Sequence, residues 1–336
     1  MPVLDALALI DNRVSVLRAF HERHGFERAE LDVSGGIDSA VMLHLLCRAL
    51  SPERVTAVFT GIHSSEDARQ RAQEAAASCG VKLVEVEMTE VFEQLQATML
   101  TALAKAGYDE NQVSDRMASD PTISGSIRSC LRAPVGRGLN RMTGGGVRHG
   151  TGNECEDRFL RFYQKGGDGE VDSNPIAMLS KGEVFQLAHA LGVPQSILQA
   201  VPSPDLHGNG ATHNDEDELR KLYGLDWTYS KVHSANGNYT FVGSIERMSR
   251  LLDEPGLEAK IFGDEQLSDP ILDGIVKTAL ERTFRNFSAA EVRKLVLSAQ
   301  RIERSTRHKM NPNCPTYGTR EELIDGEILS NAIEEL

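Results

Sequence analysis

The sequence predicts an α/β fold, with a parallel sheet covered by helices on both faces and more helices toward the C-terminal end. Two observations lead there. Apolar strand-like runs alternate with helix-like segments from residue 3 to residue 86, the mark of parallel strands joined by crossover helices. The first strand-to-helix turn is also rich in serine and glycine, and open α/β sheets bind ligands at such turns.

The elements follow in order. Leu4, Leu7, Leu9, Ile10, Val14, Leu17 and Phe20 recur at helical spacing, so residues 3–24 read as an amphipathic helix. Ala29–Val33 is a short strand, Ser34–Asp38 a loop, Ser39–Leu50 a helix and Val55–Phe59 a second strand. Ser64-Ser65-Glu66-Asp67 opens the next helix with a serine cap and first-turn acids, and Gly80 closes it. A third strand spans Val81–Val86 and a helix residues 89–106. Gly107, Pro121 and Gly125 make residues 107–126 read as a loop. An arginine-rich helix over 127–142 and a short fourth strand at Val147–His149 follow. Glu154–Gln164 and Ser180–Leu191 read as helices, Gly166–Asn174 as a loop and Val201–Asp215 as irregular. Residues 216–266 mix short elements, helices are expected near 269–283 and 289–306, and the proline-containing tail reads as an ordered tail or lid. This divides the chain into a core at 1–224, an insertion at 225–266 and C-terminal helices and tail at 267–336.

The bulk properties exclude several classes. With 40% hydrophobic and 25% charged residues, the composition is that of an ordinary soluble globular protein. A net charge of −13 disfavours a nucleic-acid substrate. The cysteines Cys47, Cys79, Cys130, Cys155 and Cys314 form no Cys-x-x-Cys pair, so neither a zinc site nor a disulfide framework is indicated. Met1–Phe20 carries Asp5, Asp11 and two arginines, which excludes a signal peptide. No run of about 18 apolar residues exists, so no membrane span is expected, and the cytoplasm is the expected compartment.

The chemistry concentrates at Ser34-Gly35-Gly36-Ile37-Asp38-Ser39. Adjacent glycines let backbone N–H groups approach phosphate, and the helix that follows aims its positive end at the same point. Ser34 and Ser39 add hydroxyl donors. Asp38 would repel phosphate unless a divalent cation stood between them, which calls for Mg²⁺. Gly-x-x-x-x-Gly-Lys-Ser/Thr is absent, so this is not the nucleoside-triphosphatase P-loop.

The loop resembles that of the ATP pyrophosphatase (PP-loop) superfamily, and the downstream motifs resemble its NAD synthetase branch, ammonia-dependent type. Gly150-Thr151-Gly152-Asn153-Glu154-Cys155-Glu156 is similar to Gly-Thr-Gly-Asn-x-x-Glu, and Gln164-Lys165-Gly166-Gly167-Asp168-Gly169 to Lys-Tyr-Gly-Asp-Gly. Asp172–Ile176 is similar to Asp-Ile-Asn-Pro-Ile, Leu179-Ser180-Lys181 to Leu-x-Lys, Pro202-Ser203-Pro204-Asp205-Leu206 to Pro-Ser/Thr-Ala-Asp-Leu, and Arg307-His308-Lys309 to Glu-His-Lys-Arg. The motifs are collinear over residues 5–315.

The resemblance implies a Rossmann-like sheet of the adenine-nucleotide alpha-hydrolase type and an ATP-dependent amide ligase. Such an enzyme adenylates the carboxylate of deamido-NAD (nicotinic acid adenine dinucleotide) and amidates it with ammonia, giving NAD, AMP and pyrophosphate. ATP would be bound by Ser34, Gly35, Gly36, Ile37, Asp38, Ser39, Thr151, Lys181 and Ser203, and Mg²⁺ by Asp38 and Glu156. Asp38, Lys181 and Asp172 would be catalytic. Arg128, Arg132, Lys165, Asp168, Asp172, His308 and Lys309 would face the substrate. A homodimer is implied. No glutaminase resemblance is visible, so free ammonia or a separate ammonia donor is expected.

One departure stands out. The family's Asn-x-x-Ala-Arg-x-Arg aligns with Ser126-Ile127-Arg128-Ser129-Cys130-Leu131-Arg132, which puts Cys130 at a substrate-contacting arginine. A buried anion needs a cationic partner, so Arg128 or Arg132 is expected to supply it. The alternatives are the same ligase chemistry on another carboxylate, a tRNA-modifying PP-loop enzyme and a non-catalytic nucleotide-binding regulator.

Overall fold

A computed structural model of the chain describes residues 5–120, 122–202, 214–233, 238–263, 265–309 and 318–330, the side chain of His308 excepted. Helix α1 (Ala6–His24) precedes strand β1 (Ala29–Asp32), α2 (Ile37–Leu50), β2 (Val55–Gly61), α3 (Glu66–Cys79), β3 (Leu83–Glu87) and α4 (Thr89–Lys105). The alternation read from the sequence is therefore present, and its punctuation is physical. Ser65 accepts the Ala68 N–H at the start of α3, and Gly80, left-handed at φ 69°, ends it.

Between α4 and β4 (Val147–His149) the structure corrects the expected loop at 107–126: α5 (Glu110–Ser119) and the start of α6 (Thr122–Met142) lie there. Gly107, at φ 88°, follows the end of α4. Asp109 then caps a new helix by accepting the Gln112 N–H. Gly125 is buried inside α6 and interrupts nothing. The helix expected at Glu154–Gln164 is a single π-helical turn, Cys155–Leu160, which a left-handed Arg161 stops.

The strands lie in the order β3-β2-β1-β4, all parallel. Central β2 is buried along its whole length, as a strand covered on both faces must be. Helices α2 and α3 pack against the sheet and each other, with α1 against α2, and α6 packs against β1, β2 and β4. Past β4, Ser173 forms a parallel bridge to His149.

The remaining elements are α7 (Lys181–Leu191), α8 (Gln195–Gln199), α9 (Asp215–Tyr223), the antiparallel pair β5 (Lys231–His233) and β6 (Tyr239–Phe241), α10 (Ser244–Leu252), α11 (Leu257–Ile261), α12 (Asp269–Arg282), α13 (Ala289–Thr306) and α14 (Arg320–Asp325). Trp227, Tyr229, Phe241, Ile245 and Met248 join the same apolar core as the sheet. The Trp227 indole is fully buried and donates to Ser298 Oγ of α13 at 3.2 Å. Among the described residues no helix is long and apolar enough to cross a membrane.

Candidate active site

The parallel strands point their C-terminal ends at one edge, where Val33–Gly36, Ile62–Ser65 and Gly150–Asn153 emerge. The first loop is tied by its own hydroxyls. Ser39 Oγ accepts the Ser34 N–H at 3.2 Å and donates to the Gly36 carbonyl at 2.9 Å, while Ser34 Oγ accepts the Gly36 N–H at 3.3 Å. Gly35 is left-handed at φ 81°, and a Cβ there would lie 2.3 Å from the Ala68 carbonyl oxygen. Only glycine meets both demands.

Asp38 stands in the first turn of α2, Glu156 on the π-helical turn and Lys181 at the first residue of α7. The fold brings them together. The Lys181 ammonium donates to Asp38 Oδ2 and to Glu156 Oε1, both at 2.6 Å. Asn153 braces the pair, its Nδ2 donating to Asp38 Oδ1 at 3.0 Å and its Oδ1 accepting the Glu156 N–H at 3.1 Å. Burial works against the charge on Lys181, but Asp38, Glu156 and Asp215 outweigh it and hold its pKa well above the ordinary lysine range. Burial pushes Glu156 up to about 7, with Lys181 pulling down and Asp38 pushing up. Asp215 rises to about 6, again through burial, against the pull of Lys181. Its carboxylate accepts the Tyr229 hydroxyl at 3.2 Å, and the Tyr229 ring lies 5.9 Å from the Lys181 nitrogen.

Asn153, Asp215 and Tyr229 had no role assigned from sequence. Asn153 was visible inside the Gly-Thr-Gly-Asn stretch. Asp215 hid in the acidic run Asp215–Glu218, which looks like a solvated first turn. Tyr229 gave no local signal.

The remaining candidates divide. Thr151 is half-buried in the loop after β4. Asp172 accepts from the Arg137 guanidinium and from the Arg148 N–H, each at 2.9 Å. Arg128 and Arg132 both reach the C-terminal end of β2. Buried Arg128 donates to the Ile62 carbonyl, and half-buried Arg132 to that of Thr60 at 3.4 Å. Cys130 points another way, its thiol 3.9 Å from the Lys165 carbonyl. Burial, then Asp168, raises the thiol's pKa. Asp168 Oδ1 accepts from Ser129 Oγ at 2.7 Å, and Lys165 is exposed. Lys309 approaches this loop, its carbonyl accepting the Tyr163 hydroxyl at 2.6 Å. Burial lowers the Lys309 pKa against the pull of Asp168. Ser203 and the His308 side chain lie outside the described residues.

A cation held between two carboxylates, beside a glycine-rich loop that leads into a helix N-terminus, suits a polyphosphate. Comparisons with known proteins identify the family. The family profile described as NAD synthase matches residues 9–236. The NH(3)-dependent NAD(+) synthetase of Alkaliphilus metalliredigens is 34% identical over 215 residues, 64% of this chain and 82% of that one. The same-named protein of Archaeoglobus fulgidus is 31% identical over 227 residues, 64% of this chain and 83% of that one. Among solved structures, the NMN synthetase of Francisella tularensis superposes with a TM-score of 0.63 at 20% identity, covering 92% of this chain and 99% of that one. The NH3-dependent NAD synthetase of Campylobacter jejuni gives 0.54 at 17%, covering 92% and 97%. At these identities the two structures speak for the fold alone.

Proposed function

The chain belongs to the NAD synthase family, and from that premise we propose that it is an ATP-dependent amide ligase that converts deamido-NAD and ammonia to NAD, with AMP and pyrophosphate as co-products. The observation that carries this reading is the Asp38–Lys181–Glu156 cluster on the first strand-to-helix loop, inside the matched stretch.

In the first step a carboxylate oxygen of the substrate attacks the α-phosphorus of ATP. An O–P bond forms, the bond to the bridging oxygen breaks, and pyrophosphate leaves. The N–H groups of the Ser34–Ser39 loop and the Lys181 ammonium face the charge that develops on the phosphates. The Lys181 ammonium, hydrogen-bonded to both carboxylates, supplies positive charge beside the phosphates. In the second step the nitrogen lone pair of ammonia attacks the acyl carbon, the C–N bond forms, the C–O bond to AMP breaks, and one proton leaves the nitrogen. Held reactants need no covalent enzyme intermediate.

Mg²⁺ is part of this proposal. Asp38 Oδ2 and Glu156 Oε1 already converge on one cation, and carboxylate oxygens are the donors Mg²⁺ prefers. The ion would neutralise phosphate charge there. ATP contacts are assigned to the loop, Thr151, Lys181 and Ser203, and substrate contacts to Arg128 or Arg132, Lys165, Asp168, Asp172, His308 and Lys309. Residues 1–224 form the synthetase core in this reading, 225–266 an inserted segment and 267–336 a C-terminal part that completes the site. By resemblance the enzyme is a cytoplasmic homodimer using free ammonia or ammonia from a separate protein.

Cys130 favours one second reading, the same chemistry on another carboxylate. The test is incubation with ATP, Mg²⁺, ammonium and either deamido-NAD or nicotinic acid mononucleotide. Equal AMP and pyrophosphate with NAD formation is the expected result. ADP with inorganic phosphate would remove the chain from this chemistry, and amidation of the mononucleotide alone would establish the second reading.

A further inference from the structure

Directly behind the Asp38–Lys181–Glu156 cluster lies a second, larger set of charges. Glu154, two residues before Glu156, is 2% exposed. Its carboxylate meets Arg158 at 2.9 Å and the Arg250 guanidinium of α10. Arg158 also pairs with Asp253 at 2.6 Å and with Glu258 at 2.9 Å. Arg320 of α14 makes a two-pronged contact with Glu183 of α7, both bonds 2.6 Å, and its Nε lies 3.4 Å from Asp253 Oδ2. Glu183 is the third-residue partner in the capping box of the helix that begins with Lys181: Ser180 is the N-cap, and Glu183 Oε2 accepts the Ser180 N–H at 2.8 Å. Glu246 of α10 accepts the Gly182 N–H.

The placement has a physical reading. A lysine at a helix N-terminus opposes the positive end of the backbone dipole. Here carboxylates on both sides of Lys181, from Glu183 and Glu246, occupy the N–H groups of that end. Burying so many charges gains little stability over an apolar core of the same shape. What it supplies is a directional hold, because a fork of guanidinium donors fixes a carboxylate in angle as well as distance. Through Glu183 the hold acts on the backbone of Ser180 and Lys181, and through Glu154 on the turn that carries Glu156. Arg250, Asp253, Glu258 and Arg320 all lie beyond residue 236, where the family match ends.

We propose that Arg320, assisted by Arg250, is a positioning residue for the ligase reaction: by gripping Glu183 beside Glu154 it sets where the Lys181 ammonium and the Glu156 carboxylate stand. Helix α14 thereby completes the catalytic centre without touching a reactant. The inference rests on the ligase reading for its rate measurement, and it carries a second readout that does not.

The experiment compares Arg320→Met and Arg320→Lys with the wild type in the full chain, with folding followed by circular dichroism and thermal melting. Arg320→Met is expected to lower kcat at least about tenfold, since small displacements of positioned groups cost that much. It should weaken Mg·ATP binding in calorimetry and leave the KM for deamido-NAD within about twofold. Arg320→Lys keeps the charge but loses the fork, so it should restore part of both losses. If Arg320→Met does not fold, the double variant Glu183→Gln/Arg320→Met, which leaves no unpaired charge between the two, is judged by the same measurements. A folded variant with wild-type kcat and wild-type Mg·ATP affinity overturns the proposal. A wild type that makes no NAD overturns the ligase reading instead, and Mg·ATP affinity then decides this one alone.

Discussion

Lys181 stays charged although it is almost fully buried, because Asp38 and Glu156 each accept from its ammonium at 2.6 Å. Removing one carboxylate leaves the ammonium with a single close partner and takes away half of the proposed Mg²⁺ donors. Asp38→Asn and Glu156→Gln are therefore expected to abolish pyrophosphate release while circular dichroism stays unchanged. Near-normal turnover in both would refute the metal assignment. These three residues were readable from sequence because each sits in a motif whose residue type makes chemical sense alone: an acid in a phosphate loop, an acid after a glycine turn, a lysine where a helix start disfavours it. Asp215 and Tyr229 were not. Their part depends on α9 and the segment before β5 folding back over α7, and no local pattern encodes that return.

Helix α6 shows the limit of reading an element by its residues. Its two arginines one turn apart were expected on one face, and both do reach the end of β2 at Ile62 and Thr60. Cys130, between them, faces the Lys165–Asp168 loop instead. Sequence could place the helix but not its rotation, which packing against β1, β2 and β4 decides. The two arginines should consequently differ in effect. Arg128 is 2% exposed, so Arg128→Ala is expected to leave the Ile62 carbonyl without its donor and to lower stability by about 1–3 kcal/mol in denaturant unfolding. Arg132 is half-buried at the same edge, and Arg132→Ala is expected to raise the KM for deamido-NAD several-fold while leaving the KM for ATP nearly unchanged. An unaltered KM for both substrates would free Arg132 from the substrate side. The helix missed at Glu110–Ser119 has a related cause. Glycine and proline mark breaks, but a break between two helices looks in sequence like one long loop.

At the scale of the whole molecule, the alternation of the first ~90 residues was enough to announce a parallel sheet, though not its strand order β3-β2-β1-β4. Besides the shared apolar core, a polar chain that no pattern announces joins β4 to α1. The His21 Nδ1–H donates to the Phe26 carbonyl at 3.0 Å, because a carbonyl can only accept. His21 Nε2 must then accept from the His149 Nε2–H at 3.0 Å, and His149 Nδ1 accepts from Ser173 Oγ at 2.7 Å. The chain is complete only with both rings neutral, and a proton on His149 Nδ1 would face the hydroxyl that now donates to it. Burial, with His21 adding, lowers the His149 pKa to about 3, and burial lowers that of His21 as well. The folded pKa lies below the unfolded value of about 6.5, so the unfolded chain binds the proton first. The stability from His149 is present above pH 6.5 and is lost as the pH falls toward 3. At pH 5 the loss from this ring alone is about 2 kcal/mol. Glu30, raised by burial to about 7, acts in the opposite direction between pH 7 and 4.5. The total profile therefore mixes signs, and the informative quantity is the difference between wild type and His149→Gln. That difference is expected to be flat above pH 6.5 and to shrink steadily below it, because the variant lacks the ring that takes up the proton. Urea unfolding at pH 8, 6.5, 5.5 and 4.5 measures it, and a difference that stays constant across that range would show that His149 is not buried neutral between His21 and Ser173.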